Sequence, residues 1–293
     1  MVGLTELPRV IERFAKRSAC ALAAALAAVF ALALPASAEP ARRIVSLNLC
    51  IDPIVLDLVE RDRIQGLSWV SSDPNVSPIV DRIDGIRLVR GTAEEVLALE
   101  PDLVLAGAYT TPATVDLLRR LGQRVEVIPM ATSIEDIRTV IRAVAVAVGE
   151  PGRGEAMVSD FDRRLEAAKP TATRRPEAIV YEANSIVSPR GSMESAALEA
   201  AGFENAAERM LSRPGGRTDL ETLVLDPPDL VVLNQRSTTY RTPVADNLRH
   251  PALNHVLAKR AHVYVPMPLW LCGTPYVAEA VAKLGRARKS IPD

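Results

Sequence analysis

The chain is expected to be an α/β protein of two similar lobes, each a mostly parallel sheet flanked by helices, joined by one long helix with a ligand cleft between the lobes. Three observations point there. Short apolar strand-like runs alternate with helical stretches along the chain, a helix-Pro-Asp-strand motif occurs twice, and one long amphipathic stretch separates its two occurrences.

Residues 11–38 read "IERFAKRSACALAAALAAVFALALPASA". Arg13, Lys16 and Arg17 precede an Ala/Leu-rich run that ends in the small residues Ala36-Ser37-Ala38, the pattern of a secretory signal cut after Ala38. Residues 1–38 are therefore expected to be removed on export to the periplasm, Cys20 with them. The mature chain keeps two cysteines, Cys50 and Cys272, in a compartment that permits disulfides. A formal net charge of −1 gives no electrostatic footprint for nucleic acid or an anionic membrane. With 48% hydrophobic but only 4% aromatic residues, the core is built from Ala, Val, Leu and Ile, which suits α/β layers.

The first lobe, residues 39–148, opens on "RIVSLNLCID", an apolar strand that stops at a polar corner holding Asn48, Cys50 and Asp52. "RIQGLS", "DLVLAG" and "RVEVIPM" read as further strands, with helices in "TPATVDLLRRLG" and "SIEDIRTVIRAVAVAVG". Residues 149–171 form the connector. Met157, Phe161, Leu165 and Ala168 recur at three- and four-residue spacing. A helix of about 18 residues within this segment is a rod of about 27 Å at 1.5 Å per residue, so two lobes joined by it should close little. The second lobe, residues 172–293, repeats the rhythm with "EAIVYEA", "MESAALEAAG", "DLVVLNQ", "HPALNHVLAKR" and "HVYVPM". "AEEVLALEPDLVL" and "LETLVLDPPDLVV" align Glu94 with Glu221, Pro101 with Pro228 and Asp102 with Asp229 at one common offset, so the two halves are similar.

In open parallel sheets ligands sit beyond the carboxyl ends of the strands, and in two lobes those ends can face a single cleft. The loops at these ends supply the candidate ligand-binding residues Asn48, Cys50, Asp52, Trp69, Tyr109, Arg190, Arg236, Tyr240, Trp270 and Cys272. The aromatics could cover a flat macrocycle or chelate, and Arg190 and Arg236 could neutralise a carboxylate-rich one. Cys50 and Cys272 should meet across the cleft mouth. Three uses are open to them: thiolate coordination of a chelated metal, a disulfide, or inert packing. The cost of tethering a cleft that must release its ligand favours metal contact.

From "RIVSLN" through "AEEVLALEPDLVL", "GFENAA" and "LETLVLDPPDLVVL" to "HPALNHVLAKRAHVYVP" and the "LW" loop, the order and spacing of segments resemble the helical-backbone periplasmic binding proteins of ABC importers for iron-siderophore, haem and cobalamin. The resemblance implies a monomeric, non-catalytic receptor with no intrinsic cofactor, which delivers a metal chelate or corrinoid to a membrane permease. By motif, Glu94 and Glu221 would engage arginines of a permease dimer, the only route by which the protein would meet the membrane. Trp270 stands where cobalamin-binding relatives carry a ligand-facing tryptophan. Haem-binding members commonly place an axial tyrosine before the first docking helix, whereas "IRLVRGTAEE" has none, which argues against haem. His250, His255 and His262 crowd one segment and do not form a converging metal site.

No G-x-S-x-G, H-E-x-x-H or P-loop pattern occurs. The competing expectation is a two-lobed metal-cluster oxidoreductase. Two mature cysteines fall short of the four thiolates usual for a cluster, so that alternative needs a cofactor bridging two chains.

Overall fold

The computed structural model describes residues 40–170, 173–211, 216–234 and 243–292. Among the described residues nine strands appear in chain order: β1 (Ile44–Ser46), β2 (Ile64–Ser68), β3 (Leu88–Val89), β4 (Leu103–Gly107), β5 (Val125–Ile128), β6 (Glu177–Tyr181), β7 (Glu204–Asn205), β8 (Leu230–Leu233) and β9 (Ala261–Tyr264). The α-helices are α1 (Asp52–Leu58), α2 (Ala93–Leu97), α3 (Pro112–Arg120), α4 (Ile134–Val148), α5 (Pro151–Ala168), α6 (Met193–Ala200), α7 (Ala207–Met210), α8 (Leu220–Leu225), α9 (Pro251–Lys259) and α10 (Val277–Arg288).

The strands form two sheets, ordered β3-β2-β1-β4-β5 and β7-β6-β8-β9, in which every pairing is parallel. This is the expected fold class. Central strands are apolar on both faces because helices cover both faces: β4 is buried throughout, as are Ile179, Val180, Val231 and Val232.

The repeated Pro-Asp motif has a structural use that its sequence did not disclose. Asp102, just ahead of β4, accepts hydrogen bonds from the Arg42 and Arg43 amides at the entrance to β1. Asp229, just ahead of β8, accepts one from the Glu177 amide at the start of β6 and pairs with Arg174. In each half the carboxylate staples the neighbouring strand's first amides and so sets the β1–β4 and β6–β8 registers, Ile44 opposite Leu103 and Ala178 opposite Leu230.

Helix ends follow local chemistry. Ser133 and Asp136 form a reciprocal capping box at the start of α4, and Gly149 ends that helix in the left-handed conformation, φ 80°. Pro151, whose missing amide is no loss in a first turn, then starts the 18-residue α5. Val158 and Phe161 on α5 are buried, and the helix packs on both α4 and α10. A single apolar cluster thus runs from Ile44 and Ile54 beside the first sheet, through Phe161, to Val180 and Val232 of the second.

Candidate functional site

The first sheet changes direction between β1 and β4: the chain steps from β1 to β2 and β3 on one side, then to β4 and β5 on the other. Side-by-side strands whose connections diverge leave a crevice at their carboxyl ends. A cavity of about 300 Å³ lies there, bounded by Asn48 to Ile51 after β1, Gly107 to Tyr109 after β4, Ile128 to Ala131 after β5, and Leu271 to Gly273 from the loop that follows β9. Most of its wall is apolar, and no described residue of the wall is basic or acidic.

Asn48 is shaped by its neighbour. Its Oδ1 accepts the Cys50 amide at 2.8 Å, its carbonyl accepts the Ile51 and Asp52 amides, and α1 starts from that turn. A Cβ on Gly107 would fall 2.1 Å from Asn48 Nδ2, so only glycine there lets the Asn48 amide lie across the end of β4. Thr110 Oγ1 accepts the Gly107 amide, closing the turn that projects Tyr109, 79% exposed, over the rim.

The far wall is a strap, residues 266–276, which leaves the second sheet and reaches the first. Cys272 is joined to Cys50 in a disulfide with a Cα–Cα distance of 5.1 Å. A Cβ on Gly273 would lie 2.3 Å from that of Ala131, so the strap and the end of β5 touch backbone to side chain. Tyr276 Oη accepts a hydrogen bond of 2.8 Å from Arg82. The expectation of metal-thiolate contact therefore gives way: each sulfur is spent on the other, and neither is a ligand while the bond stands. The cysteines do meet at the cleft mouth, and the tethering that counted against a disulfide is present. The oxidoreductase alternative, which needed these thiolates for a cluster, loses its donors. Among the described residues no cluster of His, Cys, Asp and Glu fits a metal ion.

Other expected site residues are dispersed. Asp52 is fully buried and faces away from the cavity. Its Oδ2 accepts the Ser68 amide at 3.0 Å and Ser71 Oγ at 2.6 Å, pinning the turn after β2 to α1. Burial pushes its carboxyl up to about 7, against the pull of Ser46, Ser71 and Ser68. Ser46 Oγ and Asp52 Oδ1 are buried without a hydrogen-bond partner. Trp69 is 52% exposed but lies outside the cavity wall. Trp270, expected to face ligand, is a core residue: its ring is fully buried in the cluster shared by both sheets, with Nε1 unpartnered. Arg190 pairs with Glu208 at 3.4 Å and borders a separate groove with Arg175 and Glu204. Arg236 and Tyr240 lie outside the described residues. Glu94 and Glu221 are exposed in the first turns of α2 and α8.

Sequence reasoning missed Gly107 and the Ile128 to Ala131 turn. The strand order, unknown at that stage, is the signal that puts β5 beside the crevice. Just past the end of β6 lies Glu182, which accepts from Ser188 Oγ, and the first turn of α6 carries Glu194, whose carboxyl is pushed up by burial and by the charge of Glu182. The described part of that rim carries both signs, since Arg190 follows on the same loop and Arg217 bridges to Ile186 beside it.

Residues 44–265 match the family model described as periplasmic binding protein. A cobalamin-binding protein of Halobacterium salinarum is 26% identical over 205 residues, 68% of this chain and 55% of its own, and a vitamin B12-binding protein of Vibrio parahaemolyticus is 25% identical over 142 residues, 48% of this chain and 50% of its own. The chain thus spans about half the length of the curated relatives it matches. Among solved structures, the periplasmic heme-binding protein RhuT from Roseiflexus sp. RS-1 superposes with a TM-score of 0.67 at 23% identity, over 84% of this chain and 97% of its own. The periplasmic vitamin B12-binding protein BtuF of Vibrio cholerae does so at 0.62 and 18%, over 85% and 97%. At these identities the structures establish the shared fold, and with the family match covering most of its length the chain belongs to the periplasmic binding protein family.

Proposed function

We propose that the protein is the substrate-binding component of an ABC importer and that it carries a corrinoid-type metal chelate in the cleft between its sheets. The observation that carries the choice of ligand is the cavity wall, apolar and without a basic residue among those described. A carboxylate-rich chelate needs cations to offset desolvation of its charges. Here Arg190 is turned toward Glu208, and no described residue lining the cavity is a cation. A macrocycle fringed by neutral amides suits such a site, and cobalamin-binding proteins are among its relatives. At about 300 Å³ the cavity is at the lower end of ligand pockets, so it would receive one edge of a large chelate while the rest stays in the open cleft.

Cleavage after Ala38, function in the periplasm and permease docking through Glu94 and Glu221 complete the proposal. Their support is the signal-like N-terminus, the family and the matched placement of both glutamates at exposed helix starts. The ligand is tested by thermal-shift titration of the purified protein with cobalamin, haem and a ferric siderophore. A true ligand at 100 times its dissociation constant stabilises the fold by about 2.7 kcal/mol. Stabilisation by haem or siderophore and not by cobalamin overturns the assignment.

A further inference from the structure

A second groove lies on the last strand of the second sheet. Strand β9 is an edge. Val265 donates its amide to Leu233 of β8, so alternate residues, His262 among them, turn their amides outward to the open side. Beside this edge runs a groove of about 580 Å³ walled by the strand and by the last turns of α10, and Arg260, His262, Lys283 and Arg286 line it without an acidic residue. Several arginines elsewhere are matched to carboxylates, as in Arg138 with Asp162, Arg142 with Glu155 and Arg209 with Glu177. Among the described residues Arg260, Lys283 and Arg286 form no ion pair. Asp229, next in sequence to Leu230 at the groove's floor, is occupied by Arg174 and the Glu177 amide. The helix dipole accounts for Arg286 in the last turn of α10 and for Arg260 at the C-cap of α9, but not for Lys283 within α10 or His262 on the strand.

We propose that this groove is a docking site for an acidic, extended segment of a partner protein, which adds to β9 as a further strand while its carboxylates meet the three cations. Strand addition takes its affinity from main-chain hydrogen bonds and its selectivity from the flanking side chains, and both are supplied here. An anionic membrane is the less suitable occupant, an argument that rests on the proposed docking. A helix that feeds directly into a parallel strand runs against it, so Glu94 and Glu221 at the starts of α2 and α8 stand at the level of the strands' carboxyl ends, on the cleft side. The groove runs along β9, and Arg260 just ahead of that strand and Arg286 in the last turn of α10 put its charge at the amino ends, which would face away from the permease. A partner could then hold the receptor without covering its cleft.

The test is fluorescence anisotropy of a short labelled peptide alternating glutamate and valine, with a glutamine-valine peptide as control, against wild type and the variants R260E/R286E and R260Q/R286Q. Circular dichroism and corrinoid binding verify that the variants are folded, which keeps failure here separate from failure of the ligand assignment. The expected result is saturable binding of the acidic peptide alone, weakened by salt, reduced at least about tenfold by either double variant, a change of about 1.4 kcal/mol. Equal binding of the neutral peptide, unchanged affinity in folded variants, or binding of wild type to anionic phosphatidylglycerol vesicles but not to the acidic peptide would overturn it.

Discussion

Removing the Cys50–Cys272 bond should loosen the whole molecule, because the two cysteines are 222 residues apart. A cross-link restricts the unfolded chain by the entropy of the loop it closes, and for a loop of this size the chain-entropy relation gives about 5 kcal/mol. Net stabilities are about 5–15 kcal/mol, so the bond is comparable with the stability of an ordinary domain. The perturbation is the double variant Cys50→Ala, Cys272→Ala, which leaves no buried hydroxyl in place of a sulfur. With a urea dependence of about 3 kcal/mol per molar, the unfolding midpoint should fall by roughly 1.5–2 M. Circular dichroism reads the transition, and wild type in reductant should move toward the variant. Thiol titration of wild type denatured without reductant should find neither Cys50 nor Cys272, although Cys20 reacts in any molecule that retains residues 1–38. The variant should still bind corrinoid, since the disulfide is wall and not ligand. An unchanged midpoint, or two reactive thiols in the unreduced mature protein, would refute the reasoning.

Three further outcomes follow from named contacts. Asp52 has a carboxyl near 7 when folded against 3.8 in its ordinary state, so the native protein holds that proton more tightly than the unfolded chain does. Its contribution is full below about pH 4 and declines until about pH 7, a span of about 4 kcal/mol; Asp52→Asn should therefore gain stability relative to wild type across that window, and a gap that narrows with rising pH contradicts the assignment. Gly107→Ala drives a methyl into Asn48 Nδ2 and should weaken ligand binding about tenfold in isothermal titration, whereas normal affinity would remove Asn48 from the site. Reversing Glu94 and Glu221 to lysine should abolish uptake in cells while ligand affinity stays within about twofold, and uptake by the double variant would sink the docking role.

Periodicity made the sheets readable, because a strand covered on both faces must be apolar at every position, as in β4 and β8. Loops carry no comparable code. Trp270 and Tyr109 both follow strands and both looked ligand-facing, yet one is in the core and the other at the rim, a difference set by the short 3₁₀ turn Met267–Leu269 and by the Thr110 cap. The cysteines were placed together correctly from topology, but topology does not fix the separation of two sulfurs, and that separation decides between metal ligand and cross-link. Asp52 was misjudged for a related reason: a polar residue at a strand's end can point to solvent or into a turn, and here Ser68 and Ser71 capture it. The Asp102 and Asp229 staples were visible as a repeat, but their partners are about 50 to 60 residues upstream.

The strap and the rod α5 hold the two sheets at separate places, one covalently and one by packing. In the proposed role of receptor, a molecule fixed in this way cannot trap its cargo by a wide hinge motion. Its shape is largely set before ligand arrives, so little ordering entropy is lost on capture. Discrimination among similar chelates should then appear in how long each one stays, with arrival rates nearly alike. For the proposed carrier role, in which a load must be surrendered, residence time is the quantity on which the fit of the crevice acts.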